Sequence, residues 1–175
     1  MTRFLIIVAL FCLAAPAALA VPPAGQGSSG QSATPSASEL CKQQRRTIGM
    51  TAFRDLYAPT GNPTAAMDAC LKKQVQTAST AAKNAAMECK SERGTTPESI
   101  AAFEKAYGTN GNGKNAFGKC VSGKATDAVE AQQDATVNAA KKCKSMRTNR
   151  AAFEGAYGTK KNAFGKCVST QKQGS

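Results

Sequence analysis

The feature that most constrains this 175-residue chain is a motif written three times, each time between two cysteines. The copies run from Cys41 to Cys70, from Cys89 to Cys120 and from Cys143 to Cys167. Self-similarity at a period of about fifty residues is the mark of a repeat architecture, in which one supersecondary unit recurs. Each copy opens with Cys-Lys-x-x-Arg, carried by Cys41, Lys42 and Arg45, by Cys89, Lys90 and Arg93, and by Cys143, Lys144 and Arg147. Next comes Ala-Phe-x-x-x-Tyr, and each copy closes on Ala, then Phe or Met, then Cys three residues later. Length changes between copies fall in Gly, Asn, Thr and Pro stretches, where surface loops tolerate them.

The aromatic residues beyond position 20 all belong to this motif: Phe53, Tyr57, Phe103, Tyr107, Phe117, Phe153, Tyr157 and Phe164. Aromatics at i and i+4 share a helix face and bury a large area, so these eight are expected to form the core of the repeats. The competing use, an exposed platform for bases or sugar rings, would leave a chain this poor in large apolar groups without a core.

Between the copies, small or apolar residues recur at spacings of three and four. The first stripe is Leu71, Val75, Ala78, Ala82, Ala85 and Cys89; the second is Val121, Ala125, Ala128, Ala135 and Ala139, interrupted by Gln132. Both predict helices, the second about one turn longer. Thr64 and Asn115 stand at expected N-caps, Thr96-Pro97 opens a short helix, and Gly94, Gly108 and Gly158 mark helix exits. Lys90, Arg93, Lys144 and Arg147 follow the long helices, where cations complement the C-terminal dipole. The expected fold is all-α: disulfide-braced antiparallel helical repeats, three cysteine-bounded motifs linked by two long helices, the last repeat truncated.

The chain begins with Arg3, an apolar run from Phe4 to Ala15 and small residues up to Ala20, the pattern of a secretory signal at 1–20. Its removal takes Cys12 with it and leaves six cysteines, an even number that reads as a disulfide framework in an exported chain. Residues 21–38 are uncharged and rich in Pro, Gly, Ser and Ala, as in a flexible spacer, which leaves 39–175 as the folded domain. Helix geometry prunes the pairings. Cys70 and Cys89 would lie about 28 Å apart along a helix, and Cys120 and Cys143 about 34 Å, against a bridging limit of about 7 Å. Of the pairings that remain, the simplest lies inside each copy: Cys41–Cys70, Cys89–Cys120 and Cys143–Cys167.

The chain has no histidine, which removes the usual general base and most zinc sites, and it has no Cys-x-x-Cys. The Gly-rich stretch from Thr109 to Gly113 lacks the Lys-Ser/Thr of a phosphate-binding loop. Glu104 and Glu154 are equivalent, but Arg54 stands in their place in the first copy, so no repeated acid pair is present. No enzyme activity, cofactor or metal is expected. Without Arg3 the chain keeps twenty-two Lys and Arg against eleven Asp and Glu, a net charge of +11. Such a charge favours polyanions, and in an exported protein these are anionic cell-envelope or extracellular polymers. Lys114, Lys119, Lys160, Lys161 and Lys166, beside the second cysteine of their repeats, are the expected contacts. The alternatives are a module that binds an extracellular protein, such as an adhesin or inhibitor, and an extracellular nucleic-acid binder; the latter lacks a reading motif. No membrane span is expected once the signal is removed.

Asn115-Ala-Phe-Gly-Lys-Cys-Val121 and Asn162-Ala-Phe-Gly-Lys-Cys-Val168, each preceded by a Tyr-Gly step, resemble exported actinobacterial proteins of unknown function. The resemblance covers the three repeat cores and implies neither an activity nor site residues. The first copy departs from it at Ala58 and at Met67-Asp68-Ala69, as a divergent cap would.

Overall fold

The computed structural model describes residues 35–173, so the expected signal peptide and most of the spacer lie outside the described residues. Seven helices are found there: α1 (Ala37–Ile48), α2 (Met50–Tyr57), α3 (Pro63–Arg93), α4 (Pro97–Tyr107), α5 (Ala116–Met146), α6 (Arg150–Tyr157) and α7 (Ala163–Gln173). The folded domain starts slightly earlier than the expected boundary at 39. Ser36 accepts a hydrogen bond from the Glu39 amide, and its own amide donates to the Glu39 carboxylate, a capping box that starts α1 at Ala37.

All three disulfides form within the repeats, with Cα separations of 6.0 Å for Cys41–Cys70, 6.1 Å for Cys89–Cys120 and 5.9 Å for Cys143–Cys167. Each repeat is therefore the end of one helix, a short Phe-Tyr helix (α2, α4 or α6), and the start of the next helix. The two long helices run antiparallel. Cys89 near the end of α3 is bonded to Cys120 near the start of α5, while Gln74, fifteen residues before Cys89, hydrogen-bonds to Gln133, thirteen residues after Cys120.

The long helices have the same length, 31 residues each, or about 46 Å. The longer gap between Cys120 and Cys143 does not lengthen α5, because α3 starts further ahead of its first cysteine. Asn62, not Thr64, caps α3: its side chain accepts from the Ala65 amide, and Pro63 takes the first helical position. Asn115 does not cap α5 with its side chain. It binds Thr109 across the loop instead, through the Thr109 amide at 3.1 Å and the Thr109 hydroxyl at 2.6 Å. At the exit of α3, Gly94 has φ +62°, and a Cβ there would come within 2.5 Å of the Ser99 hydroxyl, so this turn requires glycine.

Packing gathers the repeats unevenly. One core cluster joins repeats 1 and 3, with Ile48, Phe53, Phe153, Phe164 and Val168 among its buried members. Repeat 2 keeps a small core of its own, made of Cys89, Phe103, Ala116 and Cys120. A third cluster, Leu40, Ala81 and Val129, wedges α1 into the groove between the long helices. The chain thus forms an antiparallel pair of long helices, with repeats 1 and 3 together at one end and repeat 2 at the other.

The buried stripes are displaced by one residue in the middle of both long helices. Val75 is 61% exposed and Ala78 is exposed, while Gln74 is buried beside Ala81, Ala85 and Cys89. In the second half of α5 the buried positions are Val129, Gln133, Thr136, Ala139, Ala140 and Cys143, so the expected Ala139 is buried, but Ala128 and Gln132 face solvent. Pairing explains how glutamine enters the core. The Gln74 amide donates to Gln133 at 2.9 Å, and the Gln133 amide donates to the Leu40 carbonyl at 3.1 Å, so these polar groups are buried with partners.

Candidate polyanion-binding cleft

The Phe-Tyr pairs build the same element three times. Ring centroids lie 4.9 Å apart for Phe53 and Tyr57, 4.8 Å for Phe103 and Tyr107, and 5.1 Å for Phe153 and Tyr157, all tilted by 45–51°. Phe53, Phe103, Phe153 and Phe164 are buried, and the three tyrosines are half-buried. Phe117 departs from the expected core role: it is 36% exposed. Its equivalent Phe164 is covered because repeat 1 packs against repeat 3, and the repeat 2 end has no second repeat to cover Phe117.

The arginine of Cys-Lys-x-x-Arg has a role beyond the helix dipole. Arg147 lies over the Phe164 ring at 5.3 Å, and Arg93 over the Phe117 ring at 6.0 Å. The residue before that arginine is the partner of the repeat's tyrosine. Tyr57 donates to Gln44 at 2.7 Å and Tyr107 to Glu92 at 2.7 Å. In repeat 3 the equivalent residue is Met146, and Tyr157 instead accepts from Gln171 at 3.1 Å. Burial, partly offset by the Gln44 bond, pushes the Tyr57 pKa up to about 12.

A cleft of about 670 Å³ opens where repeats 1 and 3 meet. Repeat 1 supplies Arg54, Asp55 and the Pro59–Gly61 loop, and repeat 3 supplies Arg147, Arg150, Glu154 and the loop from Gly158 to Lys161. Five cations face two carboxylates. Asp55 is held by Arg147 at 2.8 Å and more loosely by Arg54 at 3.8 Å, and Glu154 by Arg150 at 2.6 Å. Lys160 and Lys161 lie exposed on the loop between α6 and α7.

The five lysines expected to act together do not form one cluster. Lys160 and Lys161 line this cleft, and Lys166 lies on the neighbouring groove along α7. Lys114 and Lys119 sit at the start of α5, at the repeat 2 end, separated from the others by roughly the 46 Å length of a long helix. Arg54, Arg147 and Arg150 complete the cleft. Their signal in the sequence is that Arg54 replaces the acid found in the other two copies, and that Arg150 opens the third Phe-Tyr helix.

Charge follows the same division. Repeats 1 and 3 together carry ten Lys and Arg against three Asp and Glu, whereas repeat 2 carries five against three. At the repeat 2 end acids answer the nearby lysine: Lys124 lies 3.6 Å from Glu88 and 3.5 Å from Glu92. The Tyr107 hydrogen bond, followed by Lys124, lowers the Glu92 pKa, and Glu92 in turn raises that of Lys124. Among the described residues there is no group of three or more Cys, Asp or Glu placed to hold a metal ion. Neither protein-family models, nor curated proteins, nor solved structures match the chain.

Proposed function

We propose that this protein is an exported, non-catalytic module that holds an anionic polymer of the cell envelope or its surroundings. The observation that carries the reading is the cleft between repeats 1 and 3, where five cations meet two carboxylates on the more strongly basic half of the chain. A non-catalytic role agrees with the absence of histidine and with the engagement of both cleft carboxylates by arginine, which leaves them acting as struts. Three intramolecular disulfides fit an oxidising compartment, and among the described residues no helix is long and apolar enough to cross a membrane.

The test is retention on immobilised heparin as salt is raised. Charge reversal at the cleft, Lys160→Glu with Lys161→Glu, is expected to lower the eluting salt concentration sharply. The same change in net charge at the other end, Lys105→Glu with Lys114→Glu, is expected to lower it far less. Equal losses would reduce the effect to net charge, and retention insensitive to salt would refute the electrostatic mechanism.

A further inference from the structure

The end where repeats 1 and 3 meet carries a second groove beside the cleft. It measures about 860 Å³ and is lined by Lys73, Asn162, Lys166, Ser169, Thr170 and Gln173, among others, with no Asp or Glu among its described lining residues. Both recesses share Gly158, so the connection from α6 to α7 forms a saddle between them. Lys73 also borders a small polar recess that holds Lys172. Burial, followed by the nearby Lys73, keeps the Lys172 pKa below the usual lysine range. A path of cations therefore runs from Arg54 and Lys160, over Gly158, to Lys166, Lys73 and Lys172.

The two ends of this path differ in a useful way. An anion entering the cleft competes with Asp55 and Glu154 for its arginines, whereas one entering the groove meets lysines with no carboxylate in the lining. A chain with many anions gains from both, because a segment held in one recess raises the effective concentration of the next segment at the other.

The lining also selects the kind of chain. Nucleic-acid strands are held by stacking their bases on exposed rings. Phe153 and Phe164, which line the cleft, are 6% and 2% exposed, and the Tyr157 hydroxyl at the groove is engaged by Gln171. Beside the half-buried Tyr157 ring, the groove presents amides and hydroxyls at Asn162, Ser169 and Gln173, groups that suit sugar hydroxyls.

We infer that the ligand is a linear acidic polysaccharide lying in both recesses and crossing at Gly158. This rests on the polyanion reading above. Calorimetry on the folded protein, with heparin fragments either short enough for one recess or long enough to span both, separates the two ideas. The spanning fragment should bind at least about tenfold tighter than the short one. In Lys73→Gln/Lys166→Gln that advantage should disappear, so that the spanning fragment binds no tighter than the short one. Equal affinity for both lengths, or an advantage unchanged in this variant, would overturn the two-recess path and leave the cleft reading standing. Tighter binding of a single-stranded oligonucleotide of equal charge would overturn the choice of polysaccharide. Failure of every probe to bind would overturn the polyanion reading itself.

Discussion

Removing the second disulfide, as Cys89→Ala/Cys120→Ala, tests how the two ends of the domain are held. The bridge closes a loop with a sequence separation of 31, for which the chain-entropy argument gives about 3.7 kcal/mol. Against the 5–15 kcal/mol typical of whole domains, the variant should stay folded at room temperature but melt roughly 7 to 15 °C lower. The loss should also be uneven. Phe103 is the only buried residue of α4, and the cluster around it has just four buried members, two of which are the bridged cysteines. Phe53, Phe153 and Phe164 share a larger cluster that the variant leaves intact. Urea unfolding should show the lower midpoint, with a steeper m-value as the denatured chain expands. Hydrogen exchange should lose most protection over residues 97–107, and little over α1 and α7. A loss below about 1 kcal/mol, or protection falling equally at both ends, would refute this division of the structure.

Phe164→Ala should cost about 3–5 kcal/mol in urea unfolding, because it empties the core between repeats 1 and 3. Phe117→Ala, at the equivalent position, should cost about 1 kcal/mol or less, and equal costs would contradict their different exposure. Tyr57 has a folded pKa of about 12, above the ordinary tyrosine value near 10. A pKa raised on folding contributes stability that is fully present below pH 10 and is lost as pH rises through 12. Absorbance titration should therefore show delayed tyrosine ionisation that is reduced in Tyr57→Phe, the remaining delay belonging to Tyr107, whose hydrogen bond to Glu92 also raises its pKa, and unfolding of the native protein should accompany ionisation of Tyr57.

Much of the fold is legible in the residue pattern because its determinants are local. An i and i+4 aromatic pair meets on any helix, so the three Phe-Tyr contacts follow from spacing. The disulfide pairing is partly legible: rigid helices hold Cys70 from Cys89 and Cys120 from Cys143, and the simplest of the pairings left is the one that forms. The buried stripes were less legible. Hydrophobicity ranks Val75 above Gln74, but Gln133 on the facing helix satisfies the Gln74 amide and turns that side of α3 inward. The site was half legible: lysines at repeat positions stand out, but whether two repeats share an end depends on how the long helices fold back.

The sequence by itself determined helices across the described residues and three motifs each carrying an i and i+4 Phe-Tyr pair, because those relations act over one or two helical turns, and it excluded the disulfides that a rigid helix would hold apart. Only the tertiary structure decided that repeats 1 and 3 lie together and repeat 2 stands alone. That arrangement buries Phe164, leaves Phe117 exposed, and brings Arg54 within the same cleft as Lys160 and Lys161. The physical reason is that two antiparallel helices of equal length return the chain to the end where it began. Residues about a hundred positions apart then become neighbours, as in the ion pair between Asp55 and Arg147.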